Sequence, residues 1–267
     1  MVNTEWQLSG NMAERYEEHL VPVIFTPWAN DLIARVDFAP GDRLLDLACG
    51  TGIVARLATR SGVMATGGDI NPGMLAVAKE RSAGLNATFQ LADALDLPFE
   101  DESFDAIICQ QGLQFFPDKP AAVSECLRVL KPGGRAVFCT ARGLEENPLM
   151  QAQVAAFSRY FGEEATQAIR AVCGFPDAEK VQALFDNAGF GQVAVETVVL
   201  DLEAEDGSDF VNGLMMATPV AERIAAMNQA ERTALHDDML KEFGACYDGT
   251  ALHFPHSANV VSASRAL

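Results

Sequence analysis

The sequence predicts an α/β protein built on a mostly parallel, seven-stranded sheet with helices on both faces. Three observations carry this expectation. From residue 43 onward, apolar strand-like runs alternate regularly with helix-like runs, the pattern of parallel strands joined by crossover helices. Several strand runs, such as Ala106-Ile-Ile-Cys109, are continuously apolar, as strands covered on both faces are. Residues 44–52, Leu-Leu-Asp-Leu-Ala-Cys-Gly-Thr-Gly, pass from an apolar strand through a glycine-bearing turn into the start of a helix.

Before the alternation begins, Asn11 and Glu14 have the spacing of an N-cap and its N3 partner. The helix after them puts Met12, Tyr16 and Leu20 on one face. Thr26-Pro27 reads as N-cap and N1 of a second helix that buries Trp28, Leu32, Ile33 and Val36 and ends before Pro40-Gly41. Both helices precede the first strand, so residues 1–40 form a helical cap outside the alternation. Strands are expected near 43–48, 64–69, 87–91, 104–110, 134–140 and 192–200, with helices near 52–61, 72–82, 118–130 and 177–188. Asn71-Pro72 and Asp118 start helices, while Pro132-Gly133-Gly134 and Gly189 stop them. Residues 145–173 form a mostly helical insertion. Residues 206–244 form a longer one, with Phe210, Leu214, Met215, Ile224, Leu235 and Phe243 at roughly helical spacing. Thr250–Ala266 reads as the last strand. No internal repeat or low-complexity linker interrupts the chain, so residues 1–267 are expected to form one domain.

The 44–52 turn carries the chemistry. Strand, tight turn and helix N-terminus bring bare backbone against a nucleotide. Gly50, Gly52 and Ala55 fit the G-x-G-x-x-G/A spacing of dinucleotide-binding turns, and Asp69 stands nineteen positions after Gly50, where an acid takes ribose hydroxyls. Asp46, just before the turn, would repel a pyrophosphate and welcome a cation. S-adenosylmethionine (SAM) has a ribose and an adenine, no phosphate, and a methionyl ammonium beside a sulfonium. The three acidic strand ends, Asp46, Asp69 and Asp93, suit an ammonium, a ribose diol and an adenine amino group in that order.

Further along, Gly68-Asp69-Ile-Asn-Pro-Gly-Met-Leu75, Ala92-Asp93-Ala-Leu-Asp-Leu-Pro-Phe99, Ser103-Phe-Asp-Ala-Ile-Ile108 and Leu127-Arg-Val-Leu-Lys-Pro-Gly-Gly134 follow Asp46-Leu-Ala-Cys-Gly-Thr-Gly52. Together they resemble the successive motifs of class I SAM-dependent methyltransferases, most closely the branch with the quinone-biosynthesis methyltransferases. The resemblance covers residues 40–140. It implies a Rossmann-like sheet of order 3-2-1-4-5-7-6, the last strand entering antiparallel between strands five and six. The 206–244 insert then lies over the carboxyl ends of the strands as a helical lid, where open α/β sheets bind ligands.

The implied activity is transfer of a methyl group from SAM to a small, partly apolar organic acceptor by in-line displacement. The enzyme must align nucleophile, methyl and sulfur and exclude water, so few side chains are expected to be catalytic. For the cofactor the resemblance points to Asp46, Ala48, Gly50, Gly52, Asp69, Ile70, Asp93, Ala94 and Gln110, with Tyr16 of the cap closing over the SAM carboxylate. His19, three residues beyond Tyr16, is the candidate for a catalytic role. Phe25, Trp28, Phe115, Phe116, Met215 and Met216 are the candidate acceptor pocket. A non-catalytic SAM-binding regulator and a methyltransferase acting on protein or RNA are the alternatives. An NAD-dependent oxidoreductase would need a catalytic Tyr-x-x-x-Lys, which Tyr16, Tyr160 and Tyr247 do not supply.

Composition narrows the field. Nineteen basic against thirty-seven acidic residues give a net charge of −18, which repels phosphate backbones and argues against nucleic-acid partners. No run approaches the length of a membrane span, and the first residues carry neither a basic region nor an apolar core, so a cytoplasmic location is expected. The six cysteines have no zinc-knuckle or C-x-x-C spacing. His253 and His256 form H-x-x-H, but strand spacing sends them to opposite faces, so no metal is expected.

Overall fold

The computed structural model describes residues 12–267; the expected Asn11 cap lies outside the described residues. The alternating core comprises β1 (Arg43–Leu47), α3 (Ile53–Ala58), β2 (Met64–Asp69), α4 (Pro72–Arg81), β3 (Ala87–Leu91), β4 (Phe104–Gln110), α5 (Lys119–Val129) and β5 (Leu130–Ala141). Helices α6 (Pro148–Phe161) and α7 (Gln167–Val172) fill the first insertion before α8 (Ala178–Ala188) and β6 (Gly191–Ala204). Helices α9 (Gly207–Met216), α10 (Ala221–Ala225) and α11 (Gln229–Glu242) fill the second, before β7 (Leu252–Ser264). The seven strands form one sheet of order β3-β2-β1-β4-β5-β7-β6, as the sequence predicts. β1 pairs in parallel with β2 and β4, whereas β7 runs antiparallel to both β5 and β6.

Alternation along each strand feeds two separate apolar layers. Leu44 and Ile108 face the layer under α2 (Thr26–Ala34), α3 and the insertions, while Leu45 and Ile107 face the layer under α5 and α8. All four side chains are fully buried, which is why the strands read as unbroken apolar runs. The helix starts follow local chemistry: Asn71 accepts from the N–H groups of Gly73 and Met74, and Asp118 from that of Ala121. The expected stop at Pro132-Gly133-Gly134 falls inside β5 instead, because Gly133 and Gly134 exchange backbone bonds with Arg265 beyond β7. No helix among the described residues is long and apolar enough to cross a membrane.

The N-terminal segment departs from expectation. The helix α1 (Met12–Arg15) passes directly into a π-wound stretch, Tyr16–Phe25, and that into α2 (Thr26–Ala34). Thr26 therefore does not act as an N-cap: its N–H is already bonded to the carbonyl of Val21, five residues back. Within the π-wound stretch Glu17 pairs with Arg56 of α3 at 2.6 Å, with both side chains 12% exposed. Arg56 also donates to the carbonyl of Thr51, so one guanidinium joins the cap to the turn after β1. On its other side the π-wound stretch packs on α9, where the ring of His19 fills the space in which a Cβ at Gly213 would stand.

Breaking the Glu17–Arg56 pair from one side leaves a buried charge unpaired. Arg56→Met should lower the unfolding free energy by about 3 kcal/mol in a urea titration. An unchanged midpoint would show that the ion pair does not seat the cap.

Candidate functional site

The carboxyl ends of β1 to β4 lie side by side, with Leu47 opposite Gly68 and Asp69 opposite Leu91 in the ladder. Above them opens a continuous cavity of about 280 Å³. Its floor is the turn after β1. Gly52 is left-handed (φ 81°), and a Cβ there would come within 2.6 Å of the Phe89 ring. Gly52 thus allows the helix to pack on the sheet and is not among the residues that line the cavity. Gly50 lines it, and its N–H donates to Asp69 at 2.8 Å. The other Asp69 oxygen accepts from the N–H of Asn71 at 2.8 Å. Burial raises the pKa of Asp69, with these backbone bonds opposing.

Asp46 points elsewhere. It is buried, accepts from the N–H of Ala55 at 2.9 Å in the first turn of α3, and does not line the cavity. The geometry thus corrects the expectation of direct contact with a methionyl ammonium. Burial pushes its carboxyl up to about 7, with the nearby Asp69 charge adding to the shift and the Ala55 bond opposing it.

Of the other expected cofactor residues, Tyr16, Ala48, Ile70, Asp93, Ala94 and Gln110 all line the cavity. The Tyr16 hydroxyl would stand 3.9 Å from a Cβ on Gly50, and its ring lies 4.7 Å from that of Phe25. Burial, then the Asp69 charge, raises its pKa well above the ordinary tyrosine value. Ala48 holds a positive φ of 55°, and so does Gln111 after β4. Two non-glycine residues in this sparsely populated region at adjacent strand ends mark backbone shaped by the site. Gln110 donates to the carbonyl of Phe25 at 2.9 Å, which leaves its buried Oε1 without a partner.

The expected acceptor pocket divides. Phe25, Phe115 and Phe116 line the cavity. Trp28 does not: it is wholly buried and donates its Nε1–H to Nδ1 of His256 at 3.0 Å. Met215 and Met216 open instead onto a separate outer cavity behind α9. His19 lines that outer cavity too, 3.5 Å from Asp209, so it is not placed to take a proton at the strand ends.

Sequence reasoning missed a wall of the cavity. Met150, Gln153 and Val172 come from the 145–173 insertion, Gln111 and Gln114 from the segment after β4, and His256 from within β7. Three glutamines within residues 110–114, and a histidine beside the apolar run of the last strand, were the available signals. The glutamines form a chain: the Ala141 N–H donates to Gln111 Oε1, which also accepts from Gln114 Nε2. Gln111 Nε2 and Gln114 Oε1 are left buried and unpartnered. Among the described residues no group of three or more His, Cys, Asp or Glu side chains could hold a metal.

Comparison with known proteins gives this cavity its family. A family model described as a methyltransferase domain matches residues 45–138. A demethylmenaquinone methyltransferase of Mycobacterium sp. (strain KMS) is 34% identical over 170 residues, 62% of this chain and 70% of that one. The demethylmenaquinone methyltransferase of a Staphylococcus epidermidis strain is 32% identical over 197 residues, 68% of this chain and 79% of that one. Phosphoethanolamine N-methyltransferase 2 of Haemonchus contortus, solved in complex with SAM, shares the fold at a TM-score of 0.65 and 21% identity. That match covers 99% of this chain and 59% of the longer enzyme. The chain belongs to the class I SAM-dependent methyltransferases, and SAM is its cofactor.

Two measurements test the site. Asp69→Ala should weaken SAM binding by about 1.5–3 kcal/mol, the worth of a hydrogen bond to a charged group; an unchanged calorimetric affinity would remove Asp69 from the site. Asp46 holds its proton up to about pH 7 when folded but only to about 3.9 when unfolded. Its contribution to stability is therefore full below the unfolded value and is lost as pH rises through the folded one. Relative to Asp46→Asn, which has no proton to lose there, the ligand-free wild type should lose thermal stability between about pH 4 and 7. Parallel melting curves across that window would contradict the assignment.

Proposed function

We propose that this methyltransferase transfers the methyl group of SAM to an uncharged, largely apolar acceptor that carries oxygen, a quinol of the kind named for its demethylmenaquinone-methylating relatives. One observation carries the reading. Among the described residues whose side chains line the cavity only Asp69 and Asp93 bear charge, and both stand at the ends of β2 and β3. The remaining polar groups are neutral amides, hydroxyls and an imidazole among apolar side chains. A phosphate or carboxylate on the acceptor would meet no cation there, and its desolvation would go uncompensated.

In this reading Asp69 takes the ribose diol, Ile70 packs on the adenine, and Asp93 with the Ala94 N–H reads the adenine edge. Gly50 admits the methionyl chain, with Tyr16 closing over it and Ala48 and Gln110 beside the sulfonium. The acceptor lies against Phe25, Phe115 and Phe116 on one side and the α6–α7 insertion on the other. The reaction is a displacement at the methyl carbon: the acceptor forms the new bond, the carbon–sulfur bond breaks, and a neutral thioether leaves. The acceptor also loses a proton. Tyr16 is held protonated by burial, and His256 has its pKa lowered to about 4 by burial. Neither is suited to take that proton at neutral pH, so the methylated acceptor releases its hydroxyl proton to solvent after the methyl has moved, when the site reopens. Rate then comes from alignment and from excluding water. The cap within residues 1–40 and the 206–244 segment serve that exclusion as parts of one domain, α9 contributing Leu214, Ala217 and Thr218 to the cavity wall. The enzyme works in the cytoplasm, on a small molecule and not on nucleic acid.

The test is direct. With labelled SAM, the protein should methylate a reduced demethylnaphthoquinone and leave phosphoethanolamine untouched. Transfer to phosphoethanolamine would overturn the reading, and SAM binding with no turnover on the quinol would favour a non-catalytic SAM-binding protein.

A further inference from the structure

Beside Asp69, Asp93 and Tyr16, His256 is the one ionisable side chain lining the cavity among the described residues, and its surroundings fix what it can do. It is 2% exposed on β7 yet lines the cavity. The indole N–H of Trp28 can only donate. The 3.0 Å contact therefore makes Nδ1 of His256 an acceptor. A neutral imidazole carries one proton, so that proton sits on Nε2. The Trp28 contact is the one hydrogen bond this ring makes among the described residues, and it uses Nδ1.

The ring is held firmly. Trp28 is fully buried and meets it edge-on at 5.6 Å. The next residue, Ser257, is pinned through its N–H to Asn147 Oδ1 at 2.9 Å and through its carbonyl to the N–H of Arg142 at 2.9 Å. Nothing charged is needed to orient it. Gln110 and Gln114 line the same cavity, and each keeps a buried Oε1 without a partner. A buried polar atom left unpaired costs free energy, so this part of the cavity is built to be completed by a ligand that both accepts and donates hydrogen bonds.

We propose that His256, fixed by Trp28 as the Nε2–H tautomer, is a specificity-determining donor that binds an oxygen of the methyl acceptor, while the free glutamine carbonyls accept from its hydroxyl. His256 reads the acceptor as a hydrogen-bond donor and does not take its proton. Trp28 touches no ligand; it is a positioning residue acting through His256. The acceptor so selected is neutral and oxygenated, a ring with hydroxyl or carbonyl groups, as against a bare hydrocarbon of the same shape. This rests on the acceptor class proposed above.

The experiment has two arms, both on the full chain saturated with S-adenosylhomocysteine. Long-range ¹H–¹⁵N spectra should find the His256 proton on Nε2 in the wild type, and Trp28→Phe should let the Nδ1–H form appear. The second arm compares binding of 1,4-dihydroxynaphthalene, kept anaerobic, with that of naphthalene. The wild type should prefer the diol by about tenfold or more, the scale of one or two net hydrogen bonds. His256→Asn, whose amide cannot reach the Nε2 position, should lose most of that preference with naphthalene affinity unchanged; His256→Gln, which restores a donor near that position, should keep it. A proton found on Nδ1, a wild type without the preference, or a preference that survives His256→Asn would each overturn the proposal. Methyl transfer separates the two readings: an intact, His256-dependent preference with no methylation of quinols sinks the quinol assignment and leaves the role of His256 standing.

Discussion

The cavity depends on one carboxylate. Asp69 accepts from the Gly50 N–H with one oxygen and from the Asn71 N–H with the other, each at 2.8 Å. These bonds tie the turn after β1 to the turn after β2, so the floor of the site is set before any ligand arrives. The arrangement has a cost, since burial raises the pKa of both Asp69 and the neighbouring Asp46. Two buried acids close together repel when ionised. A cationic ligand relieves that repulsion, and SAM is such a ligand. The strand ends are thus electrostatically unfinished in a way that matches the cofactor.

The glutamine-lined part of the cavity is unfinished in another sense. Its groups are neutral, and what they lack is hydrogen-bond partners: Gln110 Oε1, Gln111 Nε2 and Gln114 Oε1 are buried without any. Native interiors seldom leave such atoms unpaired. Here each amide has its other atom fixed, to the Phe25 carbonyl, to the Ala141 N–H or to a neighbouring glutamine. The free atom of each is therefore oriented and cannot flip away. One cavity thus combines a charged end that suits a sulfonium nucleotide with a neutral, oriented end that suits an oxygenated apolar molecule.

Much of this was legible in the residues. The alternation after residue 43 and the continuous apolar strands gave the sheet, because burial on both faces leaves a composition that can be read locally. The carboxyl-end positions of Asp69, Asp93 and Gln110 followed from strand boundaries alone. What escaped was long-range. Trp28 looks like a pocket aromatic until its N–H is found on His256, 228 residues away. Met215 and Met216 lie in an insertion expected over the site, but they line the outer cavity instead. Asp46 reads as a ligand contact because it precedes the turn, whereas its side chain is spent on the Ala55 N–H. Each error came from a side-chain direction that only tertiary packing decides.

The winding of the cap is the clearest such case. Tyr16 and Phe25 are nine residues apart, which in an α-helix of about 3.6 residues per turn is close to two and a half turns, placing them on opposite faces. Yet their rings lie 4.7 Å apart, tilted by 34°, and both line the cavity. The π-wound segment resolves this. Its bonds reach back five residues, as from the Thr26 N–H to the Val21 carbonyl, so each turn takes more residues and nine of them come close to two full turns. Tyr16, Leu20, Ile24 and Phe25 then share one face and all line the cavity. Pro22 lies within this stretch and lacks an N–H to donate, so an α-helical ladder would be interrupted there in any case. Such wide-wound segments are uncommon and concentrate at functional sites. Here the winding brings a hydroxyl over Gly50 and, at Phe25, a backbone carbonyl to Gln110, so that one helix meets both the cofactor turn and the end of β4.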